Sequence, residues 1–321
     1  YDKFADIPLL SRMDAVAETF IDEIETLLNR DLPEEERIPL IEKFQKMYET
    51  MDFYVLYNRF LKKEGYQTLP RRPLEKRKLR YEDVYPVLYL KYRLSRQAER
   101  SNIKHLVIDE MQDYSRLQYL IIRRMFSCKM TILGDRAQTM ADQQQDVLQF
   151  LPGIFGKDLR RIEMRKSYRN TVEIASYAAN LIGVTDLELF ERHGMPVLER
   201  NVTDLEAALR EAVDTLFPDE KTYETAAVIV PDEKTAERAY LILREILAEK
   251  DFDCEKRLSW LNRDSSSFKK GLTVTTFYLA KGLEFDQVFS IFPKDEKREI
   301  MMQAQYIAAT RALHELRVYH I

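Results

Sequence analysis

"KHLVIDEMQDYSRLQ", from Lys104 to Gln118, is a short apolar strand that breaks off into two adjacent carboxylates, Asp109 and Glu110, and then turns helix-like. Strand followed by helix is the repeating unit of a parallel sheet covered by helices. The same alternation continues outward. "MTILGD" (130–135), "AAVIV" (226–230), "LTVTTF" (272–277), "VFSIF" (288–292) and "LRVYH" (316–320) are separated by helical stretches near 116–126, 171–182, 205–216, 233–249 and 302–313. The fold class is therefore α/β. The loop "QFLPGIFGKD" (149–158) divides the strand series, which predicts two sheets. Ligands of such sheets sit beyond the carboxyl ends of the strands. Asp109, Asp135 and the stretch after Phe277 are expected there.

Toward the amino terminus the pattern changes. Residues 1–58 carry 14 Asp/Glu against 6 Lys/Arg, with helical spacing at Val16, Phe20, Ile24, Leu27 and Leu28, so helices with an acidic outer face are expected. From Arg59 to Arg80 the sign reverses, with nine Lys/Arg against Glu64 and Glu75, broken by Pro70 and Pro73. Such a run is either a solvated loop or a contact for nucleic-acid phosphates or an acidic partner. A helix follows over 81–97, in which Pro86 is tolerable only in the first turn.

The 321 residues are 45% hydrophobic, enough for real cores in one large or two ordinary domains. A formal charge of −4 supplies no global field for nucleic acid, so any such contact has to be local. Cys128 and Cys254 lie far apart without nearby His pairs, which excludes a Cys-rich zinc site and a disulfide framework and fits a reducing cytoplasm. No signal-peptide pattern and no apolar run near 18 residues is present, so no membrane partner is expected. The chain opens at Tyr1 without Met and reads as a piece of something longer.

An apolar strand ending in Asp-Glu suits metal-assisted hydrolysis of a nucleoside triphosphate, the Asp holding Mg²⁺ and the Glu acting on the attacking water. Strand-terminal acids also commonly cap the next helix, and alone these two would be read so. Four further stretches follow in order. "ILGDRAQT" (132–139) ends a strand in Gly-Asp with Gln138 three residues on. "RKSYRNTVEIA" (165–175) places Arg169 at a loop-to-helix junction capped by Thr171. "TTFYLAKGLEFDQVF" (275–289) ends a strand in Lys281-Gly282, with Glu284 just beyond. "QYIAATRALHEL" (305–316) reads as a helix carrying Arg311.

In this order the five stretches resemble motifs II through VI of the UvrD/Rep-type superfamily 1 helicases, over about residues 104–321. The resemblance implies RecA-like motor domains of the P-loop NTPase kind, with ATP and Mg²⁺ as cofactors and DNA as the polymer. By it, Asp109 would bind Mg²⁺, Glu110 would act on the hydrolytic water and Gln138 would sense the γ-phosphate. Arg169 and Arg311 would be arginine fingers. Glu284 would accept from the ribose hydroxyl, with Lys281 and Gly282 shaping that turn.

Three departures narrow the resemblance. No G-x-x-x-x-G-K-[ST] occurs, and eight Gly leave no degenerate substitute, so the phosphate loop is expected upstream and the isolated chain is expected to be inactive. No aromatic residue lies between Gln138 and Phe150, where the family stacks bases. The stretch from Arg169 to Ala280 is taken up by the second motor domain itself and has no room for the large insertion of UvrD and Rep. "LRYEDVYPVLYLKYRL", "IDEMQDYS" and "YLAKGLEFD" with Tyr278 are similar to the HelD (helicase IV-like) branch, which implies RNA polymerase as partner. Residues 1–100 are then read as a helical insertion or accessory segment of the first motor domain. Residues 101–158 are its C-terminal part, and 159–321 a second RecA-like domain. An ordinary 3′–5′ DNA helicase and a non-catalytic docking module are the alternatives.

Overall fold

Capping and burial explain where the helices begin and which way they face. In the computed structural model, which describes residues 2–95, 102–135, 138, 146–184, 188–217, 223–250, 252–265, 270–294 and 299–321, the chain divides into two compact units. The first comprises Tyr1–Gly134 with Gln145–Leu159, the second Asp135–Gln144 with Arg160–Ile321.

The first unit opens with four helices, α1 (Arg12–Leu28), α2 (Glu34–Gln45), α3 (Phe53–Lys63) and α4 (Tyr81–Leu94). Asp52 caps α3 by accepting from the backbone N–H groups of Tyr54 and Val55. Tyr54, Tyr57 and Leu61 recur at helical spacing, so one face of α3 is buried, and it packs on Leu69, Leu79, Val87 and Leu90. Two expectations need correction here. Pro86 is the sixth residue of α4, not a first-turn residue, and its missing N–H removes one hydrogen bond from the helix. The buried stripe of α1 is Ala17 and Ile21, whereas Phe20, Leu27 and Leu28 are exposed. The α1 apolar positions are wide enough to offer two registers, and packing selects one.

Strands β1 (His105–Ile108) and β2 (Lys129–Ile132) pair in parallel, joined by α5 (Arg116–Met125). Ser115 and Gln118 form a reciprocal capping box at the start of α5. Tyr119 is wholly buried and meets Ile108, Phe150 and Leu151. The stretch expected as a loop at 149–158 is mostly helical, α6 (Val147–Phe155). Its Pro-Gly pair reads as a turn, but Asp146 caps the helix and Val147, Phe150 and Leu151 supply a buried face that outweighs the proline.

In the second unit a two-residue pair, β3 (Lys166–Ser167) with β4 (Glu188–Leu189), flanks α7 (Val172–Leu181). Then follow β5 (Leu198–Asn201), α8 (Leu205–Asp214), β6 (Thr225–Val230), α9 (Glu233–Ala248), α10 (Cys254–Arg257), β7 (Leu258–Trp260), β8 (Gly271–Thr276), β9 (Phe285–Phe292), α11 (Glu299–Ala309) and β10 (Ala312–His320). Six of these strands form one parallel sheet in the order β5-β10-β9-β6-β8-β7. Successive side chains of a strand point to opposite faces, and β6 shows the consequence. Ala226, Val228 and Val230 enter the core under α8 and α9; Ala227 and Ile229 enter the core under α7 and α11. This is the α/β parallel sheet expected from the sequence, covered on both faces.

The helix expected over 302–313 ends at Ala309. Thr310 and Arg311 form a turn, because β10 claims the chain from Ala312, opposite Phe285 of β9. Among the described residues no helix is long and apolar enough to cross a membrane.

Candidate active site

In the first unit the two carboxylates stand where a parallel strand ends. Asp109 follows β1 and is exposed. Its Oδ1 accepts from the Glu110 backbone N–H at 2.8 Å. Glu110 has left-handed backbone, φ 52° and ψ 50°, a conformation that costs a non-glycine residue of order 1–3 kcal/mol and gathers at functional sites. Gln112, itself buried, donates from Nε2 to Glu110 Oε2 at 2.6 Å. The turn is fastened to the end of β2 by Leu133 N–H to Ile108 O and Met111 N–H to Leu133 O, both 2.8 Å. Gly134 is needed for that approach, since a Cβ there would stand 2.5 Å from Gln112 Oε1 and 2.6 Å from the Met111 nitrogen. Among the described residues no cluster of three or more His, Cys, Asp or Glu could hold a metal. A lone exposed carboxylate such as Asp109 fits Mg²⁺, which takes one or two carboxylates and completes its shell with phosphate oxygens and water.

In the second unit the sequence-selected residues come together from segments far apart in the chain. Arg311 is 2% exposed. Its Nη2 donates to Gln138 Oε1 at 3.2 Å and Thr310 Oγ1 at 3.1 Å, its Nε to Ile307 O at 3.2 Å, and its Nη1 to Leu283 O at 3.4 Å. Gln138 is turned by its other end, Nε2 donating to Asp135 Oδ2 at 2.9 Å. The same Asp135 oxygen accepts from the Tyr306 hydroxyl at 3.0 Å. Burial, and then the Asp135 carboxylate, push the Tyr306 hydroxyl pKa well up, so it stays a donor.

Gly282 carries φ +83°, the left-handed region that glycine enters without cost, and turns the chain into β9. Beside it Lys281 Nζ reaches the Gln138 carbonyl at 3.5 Å, and Glu284 Oε1 pairs with Arg169 Nε at 2.6 Å, both partners about half exposed. Arg169 is thus bound to the acid expected to hold a ribose. The stretch after Phe277 leaves the carboxyl end of β8 as expected, but it runs back to the amino end of β9. Glu284 and Arg311 lie at the amino ends of β9 and β10, because both belong to loops that feed strands.

Three residues that hold this arrangement carry no sequence signal that singles them out. Asn170, 7% exposed, donates from Nδ2 to Ala312 O at 2.6 Å and Thr310 O at 3.3 Å, clasping the turn that bears Arg311. Arg192 Nη2 donates to Leu313 O at 2.6 Å and also to Arg169 O. Tyr306 is the third. Asn170 follows Arg169 directly, so one loop presents one arginine and fixes the turn of the other. The segment 139–145, where base-stacking rings are missing from the sequence, lies outside the described residues.

Residues 10–140 match the family model of the UvrD/REP helicase N-terminal domain. No curated protein matches the chain. Among solved structures, the C-terminal domain of a possible DNA helicase from Lactobacillus plantarun WCFS1 is similar at 24% identity and TM-score 0.38, over 48% of this chain and 88% of that one. The PRRSV helicase is similar at 17% identity and TM-score 0.38 over 68% of this chain, and Arterivirus nonstructural protein 10 (helicase) at 13% and 0.34 over 83%. The chain spans 35% and 50% of the lengths of those two viral proteins. At these TM-scores the likenesses assign no role to any residue.

Proposed function

We propose that this chain is part of an ATP-driven superfamily 1 motor acting on nucleic acid, of the HelD type and working on RNA polymerase complexes. The observation that carries the ATPase reading is the gathering of Gln138, Arg169, Lys281, Glu284 and Arg311 in one unit through hydrogen bonds and an ion pair, with Gly282 in the turn between Lys281 and Glu284. A buried guanidinium, in the same unit as a second one that is half exposed, is suited to stabilise charge that develops on a transferred phosphoryl. The match of residues 10–140 to a helicase domain supports the same reading. ATP and Mg²⁺ are the cofactors it requires. Asp109 would hold the ion, and bound ATP would supply the phosphoryl group. Glu110 would take up the proton of the water that attacks the terminal phosphorus as the bond to ADP breaks, Gln138 and the arginines would offset the charge on the transferred group, and Glu284 would accept from the ribose. The reading requires a phosphate-binding loop, for which residues 1–321 hold no G-x-x-x-x-G-K-[ST]. The domain assignment goes with this reading: residues 1–100 as an accessory helical segment, 101–158 and 159–321 as parts of two motor domains.

The test is ATP turnover by the full-length protein, alone, with single-stranded DNA and with RNA polymerase. Glu110→Gln is expected to abolish turnover while sparing nucleotide binding. Arg169→Ala and Arg311→Ala are each expected to lower kcat by about 10³–10⁵. Turnover stimulated by DNA and indifferent to RNA polymerase assigns an ordinary DNA helicase instead. No turnover from the full-length protein assigns a docking module.

A further inference from the structure

The cations of residues 59–80 fall into two sets. Arg59 pairs with Glu49, Arg77 with Asp52, and Arg80 with Asp83. Lys62 and Lys63, exposed and likewise without an ion pair among the described residues, belong to the last turn of α3; Arg71, Arg72, Lys76 and Lys78 are exposed and have no ion pair among the described residues. They lie on a strap, residues 66–80, that runs back along α3. Asn58 Oδ1 accepts from Leu69 N–H at 2.7 Å, the Tyr54 hydroxyl donates to Pro70 O at 2.7 Å, and Arg77 Nη1 meets Asp52 Oδ2 at 2.6 Å. These fastenings follow α3 from Asn58, its sixth residue, to its cap Asp52, a length of about 9 Å at 1.5 Å per residue. The inner side of the strap is pinned, so the backbone that carries its four unpaired cations is already ordered.

Rings stand at both ends. Tyr66, 64% exposed, opens the strap, its N–H bound to Leu61 O at 2.8 Å. Tyr81, 79% exposed, closes it as the first residue of α4. A merely solvated face needs charge but gains nothing from open rings. An acidic protein partner is served by the cations alone. Phosphates along a flexible backbone with unpaired bases to stack use both features.

We propose that the strap of residues 66–80 is a binding track for single-stranded nucleic acid, in which Arg71, Arg72, Lys76 and Lys78 contact phosphates and Tyr66 and Tyr81 stack bases. The proposal deepens the nucleic-acid half of the function proposed above, and it depends on neither ATP hydrolysis nor RNA polymerase.

Fluorescence anisotropy of a labelled twenty-nucleotide oligo-dT tests it on the 321-residue chain, with salt varied from 50 to 200 mM. Four phosphate contacts on a single strand give a slope of about −3 in log K against log salt. Reversing all four cations to Glu is expected to weaken binding at least tenfold and flatten that slope. Tyr66→Ala and Tyr81→Ala are each expected to weaken it about fivefold or more, at an unchanged slope, since stacking is worth about 1–3 kcal/mol per base. Arg123→Glu with Arg124→Glu on α5 controls for net charge and leaves binding as it was. Circular dichroism melts show that each variant is folded. The proposal is overturned by binding that survives the four reversals, by ring variants without effect, or by poly-L-glutamate competing as well as oligo-dT. A full-length protein without ATPase activity that still binds through the strap defeats the motor and leaves the track standing.

Discussion

Asn170 shows how much one side chain can do at a site where charge receives the attention. Its amide is the donor for two carbonyls that flank Arg311, and it adjoins Arg169. Asn170→Ala leaves those carbonyls without that donor in a buried place. The expected loss is about 1–3 kcal/mol of unfolding free energy, read from urea titrations at constant m-value. A loss under about 0.5 kcal/mol would mean that water or neighbouring donors replace the amide. The charged residues could be picked out in the sequence because they stand in a fixed order beside strand-like and helix-like stretches. Asn170, Arg192 and Tyr306 were not, since their partners lie 140, 121 and 171 positions away and are mostly backbone carbonyls that carry no residue identity. What the sequence did not reveal of Glu110 is its left-handed backbone, φ 52°, at a turn tied to the end of β2 by a residue 23 positions away, Leu133.

At the scale of an element, the first turn of α7 is where loop and helix are joined. Thr171 caps the helix, and Glu173, one residue inside it, binds the Gly194 N–H at 2.9 Å and His193 Nδ1 at 2.9 Å. Gly194 sits so close that a Cβ would come within 2.6 Å of the Thr171 methyl. The His193 contact, and after it the Gly194 N–H, hold the Glu173 carboxyl down at about 2 against an ordinary 4.5. A depressed carboxyl pKa stabilises the folded state above the unfolded value and loses that stabilisation as pH falls through the folded one. Glu173→Gln is therefore expected to lower the thermal midpoint at pH 6, with the two proteins converging between pH 4.5 and 2. A gap between their midpoints that stays constant across that window would rule out the carboxylate as its origin. Helix α7 itself was legible, because Thr171 and the apolar spacing after it mark a start. β5, β7 and the short β3–β4 pair were not, being four residues or fewer and stabilised by neighbours in the sheet rather than by a period of their own.

For the molecule as a whole, the six-stranded sheet and the β1–β2 pair differ in how their strands are covered. The six-stranded sheet buries both faces, and β8 is buried along its entire length. β1 and β2 have only each other among the described residues, and neither strand is buried throughout. Val107 is 60% exposed in β1, and Leu133 is 45% exposed just past β2. A strand that offers unpaired N–H and C=O groups beside an open apolar side chain is a template for another strand. The expected outcome is reversible self-association of the chain that grows with concentration, seen as a rising weight-average mass in multi-angle light scattering. Val107→Lys places a charge on that face and should return the mass toward the monomer's 38.1 kDa without shifting the melting of the second unit. If the mass stays monomeric at every concentration, the edges of β1 and β2 are protected in solution. If association persists in the lysine variant, it runs through another surface, for which the exposed Leu27 and Leu28 of α1 are the first to substitute.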